Sequence, residues 1–185
     1  MKIRDMVFVA LFTAIMAALG FVPPIFLSFT PVPITLQTMG VMLSGSLLGA
    51  RLGGLSQLVF LLLVAAGAPI LSGGRGGLSV LVGPSAGYIF SYTIAAFIIG
   101  WGIMKFRKPT FAKILAVNII GGIILVYCIG VPVQALVMKI KLMQAVKLSL
   151  IYIPGDIVKA ILASLLTISI RKRLPRRLLP YTFEY

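Results

Sequence analysis

The run from Ala112 to Met138 reads AKILAVNIIGGIILVYCIGVPVQALVM and contains a single charged residue, Lys113. An α-helix needs about 17–25 predominantly apolar residues to cross the hydrocarbon core of a bilayer, and this run is long enough. The rest of the sequence has the same character. Hydrophobic residues make up 60% of the 185 residues and charged residues only 11%, whereas about a quarter of a soluble domain is charged. The sequence therefore predicts an integral membrane protein.

Five further apolar runs flank this one, which gives six predicted spans in one membrane domain over residues 1–185. The other runs, in chain order, are Met6–Phe21, Ile34–Ala50, Leu52–Gly67, Gly87–Met104 and Leu148–Ile170. The second and third runs of the chain are short and are separated only by Arg51, which predicts a tight helical hairpin. We therefore expect an all-α fold of six transmembrane helices with both termini on the same side.

The basic residues are distributed unevenly between the two sides of this predicted bundle. The chain carries 17 Lys and Arg against 3 Asp and Glu, a formal charge of +14. The side of the termini carries Lys2, Arg4, Arg51, Lys105, Arg107, Lys108, Lys113, Arg171, Lys172, Arg173, Arg176 and Arg177. The opposite side carries Arg75, Lys139, Lys141 and Lys147. Because Lys and Arg in short loops favour the cytoplasm, we expect cytoplasmic termini and interpret the charge as a topological signal, not a nucleic-acid surface.

The composition also excludes several classes of active site. The chain has no histidine and one cysteine, which rules out disulfide frameworks, zinc sites and histidine-based catalysis. The glycine-rich segment Gly67–Tyr88 lacks the Gly-Lys-Ser/Thr ending of a nucleotide-binding P-loop. We therefore expect a protein that is not itself an enzyme and that needs neither a metal nor a cofactor.

Asp156 and Lys159 are the strongest functional candidates. Ionisable residues within a span cost about 2.5–3.5 kcal/mol each on insertion scales, and residues three apart share a helix face. If the last span begins at Leu148, Asp156 lies about 12 Å along the helix, in the outer half of the bilayer. Two interpretations stay open: an ion pair that holds helices together, or a solute site in a wet cavity.

Two outer connections carry further candidate ligands. The glycine-rich loop is long for an interhelical connection and places Arg75 on the same side as Asp156, so it is either a lid or a flexible connection. The segment Phe29–Thr38 brings Thr35, Gln37 and Thr38 to the start of the second span. Polar groups at that depth either bond to neighbouring helices or line a solute pocket.

Ala10, Ala14 and Ala18 form a ladder of small residues at a spacing of four on the first helix. Such faces let helices approach closely. The ladder is compatible with packing inside the bundle and with docking of another subunit.

Four motifs together resemble the BioY family, the biotin-binding S components of energy-coupling factor (ECF) transporters. They are Pro31–Thr38 (PVPITLQT), Gly73–Gly77 (GGRGG), Gly83–Tyr88 (GPSAGY) and Ile153–Lys159 (IPGDIVK), and they span almost the whole chain. The resemblance implies a six-helix S-component fold in the bacterial cell membrane, with biotin as the transported ligand. It also implies partners, namely a transmembrane T component and two ATP-binding-cassette ATPases.

The resemblance further implies roles for individual residues. The residues expected to bind substrate are Asp156, Lys159, Tyr88, Gly87, Arg75, Gln37 and Thr35. The docking face for the T component maps to Ala10 and Ala14, and Ala18 continues it. A carboxylate suits the ureido N–H groups of biotin, and an ammonium suits a carbonyl or carboxylate oxygen, so the ligand ends stay unassigned.

A different class of function is also open. The same charged pair fits a stand-alone facilitator or a proton-coupled carrier of a small organic acid, in which Asp156 would be the titrating group.

Overall fold

The computed structural model describes residues 2–28 and 30–173 and is mainly helical. The elements in chain order are α1 (Ile3–Gly20), β1 (Ile25–Leu27), β2 (Thr30–Ile34), α2 (Gln37–Ala65), α3 (Leu78–Leu81), α4 (Ala86–Met104), α5 (Phe111–Ile119), α6 (Val126–Met138), α7 (Leu142–Leu150) and α8 (Ile153–Arg173). A π-helical segment, Ile120–Leu125, joins α5 to α6 without a break. Of the predicted cytoplasmic residues, Arg176 and Arg177 lie outside the described part of the chain.

Within the described residues, five helices are long and apolar enough to cross a membrane. They are α1, α2, α4, the continuous helix Phe111–Met138 and α8. Their exposed surfaces are strongly apolar, as expected of helices whose solvent is lipid. The predicted membrane protein of multiple apolar helices is confirmed at this level.

The helix α2 folds back on itself at Gly49, whose dihedral angles (φ 79°, ψ −177°) are not helical. The Gln57 amide nitrogen donates to the Ser44 hydroxyl at 3.0 Å across this turn. In a straight helix the same two residues would be about 20 Å apart. The two halves of α2 therefore run antiparallel, as the short apolar runs predict, with the turn at Gly49 rather than at Arg51.

The core of the bundle is the contact between α2 and α4, where small residues allow close approach. A Cβ on Gly100 of α4 would lie 2.2 Å from backbone atoms of Gly49 and Ala50. The neighbouring Ala96 and Ile99 are fully buried. Close backbone contact of this kind stabilises helix pairs in membranes, where dispersion replaces the hydrophobic effect.

The connection between α1 and α2 is a β-hairpin, which corrects the expectation of an all-α fold. Strands β1 and β2 are antiparallel and pair Ile25 with Ile34 and Leu27 with Thr30. Pro31 and Pro33 lie in β2. Each strand of a two-stranded sheet has a free edge, so residues without an N–H group are tolerated there.

The last membrane helix begins at Ile153, which corrects the expected start at Leu148. The preceding residues form a separate short helix, α7, and the chain turns at Ile151 and Tyr152. Pro154 stands in the first turn of α8, where its missing N–H group costs nothing. Asp156 therefore lies in the first turn of this helix and not two turns into it.

Candidate ligand-binding site

Asp156 and Lys159 form a buried ion pair at the beginning of α8. The Lys159 ammonium donates to Asp156 Oδ1 at 2.8 Å, and both side chains are less than a tenth exposed. The carboxylate also lies near the helix N-terminus, where the helix dipole favours negative charge. Their attraction offsets part of the desolvation free energy of the two charges, because each ion takes the place of water molecules that would otherwise solvate its partner.

Two hydroxyl groups from other helices complete the surroundings of this pair. The Thr38 hydroxyl of α2 donates to Asp156 Oδ1 at 3.3 Å and accepts from Lys159 Nζ at 3.3 Å. The Tyr127 hydroxyl of α6 donates to Asp156 Oδ2 at 2.5 Å. The site therefore presents one charged acceptor surrounded by donors on α2, α6 and α8, which suits a ligand group carrying both N–H and C=O.

The ion pair lines a cavity whose other walls are mainly aromatic and aliphatic. The lining residues are Val32, Pro33, Ile34, Thr35, Thr38, Tyr88, Tyr92, Val126, Tyr127, Tyr152, Asp156 and Lys159. Apolar walls with a few polar anchors are typical of small-molecule sites. The cavity measures about 50 Å³.

Tyr88 is held in the wall of this cavity by contacts between α4 and α6. Its hydroxyl donates to Gln134 Oε1 at 2.8 Å and lies 3.0 Å from the Ser149 hydroxyl. Its ring meets the Tyr127 ring edge to face, with centroids 6.0 Å apart. A Cβ on Gly130 would lie 2.4 Å from the Tyr88 ring, so the glycine provides the space that the ring occupies.

Tyr152 fastens the β-hairpin over one side of the cavity. Its hydroxyl donates to the Val32 carbonyl at 3.0 Å and lies 2.6 Å from the Thr30 hydroxyl. Both partners belong to β2, whereas Tyr152 lies in the turn between α7 and α8. These two contacts attach the hairpin to the turn before α8 at the cavity wall.

Four of the seven residues predicted to bind substrate meet at this cavity: Thr35, Tyr88, Asp156 and Lys159. Thr35 lines the cavity together with Tyr92 of α4. One residue of α4, two residues of α8 and one residue of the connection between β2 and α2 therefore lie together at this cavity.

Gln37 and Gly87 lie behind the cavity wall. The Gln37 amide donates to the Ile70 carbonyl at 3.1 Å and to the Met16 carbonyl at 3.4 Å, which ties α1 to the glycine-rich loop. A Cβ on Gly87 would lie 2.6 Å from Val133, so this glycine serves the contact between α4 and α6. Contact of either residue with a ligand stays a prediction.

Arg75 lies in the glycine-rich loop, within electrostatic reach of Tyr92. The loop turns back on itself between Leu71 and Arg75, with Gly73 and Gly74 at positive φ. The Arg75 Nε donates to the Ser72 carbonyl at 3.1 Å. Partial burial lowers the pKa of its guanidinium, which nevertheless stays protonated at neutral pH. Arg75 is therefore a fixed positive charge close to the cavity.

Sequence reasoning missed Tyr92, Tyr127 and Tyr152 as lining residues. Each tyrosine lies in or beside an apolar run, where a phenol hydroxyl needs a buried partner. This need for a buried hydrogen-bond partner is the signal in the sequence that indicates a polar site near each tyrosine. The partners are far away in sequence, however, and only the fold identifies them.

The alanine ladder of α1 faces away from the bundle. Ala10, Ala14 and Ala18 are all exposed, and so are the larger neighbours Val7 and Leu11. The ladder therefore does not pack inside this chain, and a second helix could approach it closely.

Comparison with known proteins gives consistent matches over most of the chain. The BioY family model matches residues 1–176. The probable biotin transporter BioY of Bacillus subtilis is 53% identical over 94% of each chain. The biotin transporter BioY of Rhizobium etli is 44% identical over 90% of this chain and 92% of its own. A crystal structure of the S-component for biotin from an ECF-type ABC transporter superposes with a TM-score of 0.91, 34% identity and 97% coverage of both chains.

Proposed function

The chain belongs to the BioY family, and we propose that it is the biotin-binding S component of an ATP-driven ECF importer in the cell membrane. The observation that carries the proposal is the buried Asp156–Lys159 pair, which lines a cavity inside an S-component fold. Ionisable residues at membrane depth are retained where they contact a solute or each other. Here the two residues contact each other and also line the cavity.

We propose that the bundle crosses the membrane six times. The two antiparallel halves of α2 count as two spans, and α1, α4, the helix Phe111–Met138 and α8 supply the other four. An even number places both termini on the same side. The excess of basic residues on that side favours the cytoplasm.

We assign the ureido end of biotin to the Asp156–Lys159 pair. The two groups are 2.8 Å apart and therefore meet one end of the ligand, since the carboxylate tail is several bonds away. A ureido ring carries N–H donors next to a carbonyl acceptor, which matches a carboxylate next to an ammonium. The apolar bicycle then lies against Tyr88 and Tyr92, which line the same cavity.

The carboxylate tail needs a separate partner, and Arg75 is the candidate. It is a permanent cation in the glycine-rich loop, and its charge acts on Tyr92 at the cavity wall. An Arg–carboxylate contact is also among the strongest that a loop residue can offer a ligand. We therefore assign Arg75 to the tail of biotin, with Thr35 beside the passage between the two ends.

Energy for uptake comes from partner subunits in this proposal. The sequence has no Gly-Lys-Ser/Thr motif of a nucleotide-binding loop. The ATP that drives uptake is therefore hydrolysed by partner ATPases in this proposal. The exposed ladder of Ala10, Ala14 and Ala18 is the proposed docking face for the T component. Small residues on that face would let a partner helix approach closely.

Mass spectrometry of the small molecules that co-purify with the chain tests the substrate directly. The proposal predicts biotin at about one equivalent after expression in biotin-containing medium, and its loss in Asp156→Asn. Reproducible recovery of a different organic acid in its place would contradict the assignment.

Reconstitution separates this proposal from a proton-coupled carrier. Liposomes holding the chain together with a T component and ATPases should accumulate biotin only when ATP is present. Concentrative uptake by the chain alone, driven by a proton gradient, would favour the carrier with Asp156 as the titrating group.

A further inference from the structure

A second concavity lies on the lipid-facing side of the bundle, between α6 and α7. Its volume is about 290 Å³, and its lining residues are Tyr127, Cys128, Val131, Pro132, Leu142, Val146, Ser149 and Leu150. Pro132, Leu142 and Leu150 are exposed. The groove is therefore an apolar channel on the outside of the protein, with room for part of an acyl chain.

Three lysines accompany this groove. Lys141 directly precedes Leu142, Lys147 directly follows Val146, and Lys139 ends α6; all three lysines are exposed. Among the described residues, Asp5 lies at the N-terminus and Asp156 is buried with Lys159, so neither acid neutralises these lysines. The apolar groove is therefore accompanied by two exposed positive charges at the turn that joins its two helices, Lys139 and Lys141, and by a third on α7, Lys147.

The placement of these lysines runs against the usual distribution of charge. Basic residues are depleted from outer loops because they oppose correct insertion. Of the four basic residues on the side opposite the termini, all except Arg75 fall in the short stretch from Lys139 to Lys147. Orientation does not explain this concentration, whereas a ligand with a negative head and an apolar chain does.

We propose that the groove between α6 and α7 binds an anionic phospholipid. One acyl chain lies along Val131, Val146 and Leu150, and the phosphate head group lies among the lysines. Basic side chains near a membrane surface attract anionic lipids, and their apolar stems extend along the chains. Tyr127 lines both this groove and the inner cavity, so the bound chain contacts the reverse side of the ligand site.

Brominated lipids test the site without reference to biotin. The single tryptophan, Trp101, is replaced by phenylalanine, and Leu150→Trp places a fluorophore in the groove. The protein is reconstituted in phosphatidylcholine containing either brominated phosphatidylglycerol or brominated phosphatidylcholine. We expect brominated phosphatidylglycerol to bind the site with about fivefold higher affinity than brominated phosphatidylcholine. The attraction between one lysine and an anionic head group is enough to produce this preference.

The matched variants decide whether the preference belongs to the groove. The triple substitution Lys139→Gln, Lys141→Gln and Lys147→Gln should abolish the preference. Lys105→Gln, Lys108→Gln and Lys113→Gln remove the same charge from the cytoplasmic side and should leave it unchanged. Equal quenching by both lipids would overturn the proposal. A preference for phosphatidylglycerol that survives the substitution of Lys139, Lys141 and Lys147 would also overturn it, and so would an equal loss of that preference in the cytoplasmic triple variant.

Discussion

The Tyr127 hydroxyl donates a hydrogen bond to Asp156 Oδ2 at 2.5 Å and so joins α6 to the first turn of α8. The other carboxylate oxygen is occupied by Lys159 and Thr38. The carboxylate therefore accepts three hydrogen bonds, one each from α2, α6 and α8. We expect a ligand that donates N–H groups to compete with these donors, and this competition can be measured.

Tyr127→Phe should destabilise the biotin-free protein by about 1–3 kcal/mol, because it leaves a buried carboxylate oxygen without its donor. Saturating biotin should restore part of the loss, since a ureido N–H can take the vacated position. Thermal unfolding in detergent with and without biotin measures both effects. Tyr92→Phe is the control, because Tyr92 lines the same cavity but is not among the three donors to Asp156. Equal losses in the two variants would contradict the account.

Tyr152→Phe should speed the release of bound biotin. The substitution removes hydrogen bonds to Thr30 and Val32 that fasten the hairpin, each worth about 1 kcal/mol, so dissociation should rise roughly tenfold or more. Exchange of radiolabelled biotin measures the rate. Thr30→Val removes one of the two bonds and should produce a smaller increase. An unchanged rate in Tyr152→Phe would show that the hairpin does not retain the ligand.

Gly130→Ala should weaken biotin binding through Tyr88. The added methyl group would lie 2.4 Å from the Tyr88 ring, and displacing that ring breaks its bonds to Gln134 and Ser149. Overpacking of this kind costs about 1–3 kcal/mol. In Gly54→Ala the nearest atom is 3.4 Å away, so this control should bind normally. Equal affinities in a titration of both variants would remove Tyr88 from the site.

Ala14→Trp should prevent assembly with the T component while biotin binding stays intact. The indole would project from the exposed alanine ladder of α1 and block close approach of a partner helix. Co-purification of the complex measures assembly, and Leu62→Trp on the exposed surface of α2 is the control. A normal yield of the Ala14→Trp complex would show that docking occurs elsewhere.

The membrane helices could be predicted from the sequence because apolar length alone defines them. The turn at Gly49 is close to the predicted position at Arg51, since two runs too short to span separately favour a hairpin. The β-hairpin could not be predicted, because Pro31 and Pro33 are typical of irregular loops. The predicted start of the last helix at Leu148 is wrong because the separate helix α7 is also partly apolar. Pro154 is a signal for the observed start at Ile153, since proline is common in the first turn of a helix.

The sequence identified only part of the candidate site. Asp156 and Lys159 are conspicuous because ionisable residues are expensive in lipid, and Thr38 is conspicuous as a polar residue at the start of a span. Tyr127 and Tyr152 are not conspicuous, since their partners lie 29 and 120 residues away. Such contacts depend on the packing of three helices and a hairpin, and local patterns do not encode them.

The most direct test of the central claim is calorimetric titration of biotin into the chain purified from biotin-depleted cells, without T component or ATPases. Wild type should bind one equivalent tightly. Asp156→Asn and Lys159→Ala should each lose at least about 1.5–3 kcal/mol of binding free energy, the contribution of a hydrogen bond to a charged group. Asp5→Asn alters the half-buried acid near the N-terminus that pairs with Arg4, and this variant should bind like wild type. Unchanged affinity in both Asp156→Asn and Lys159→Ala would contradict the site, and the absence of binding by wild type would contradict the function.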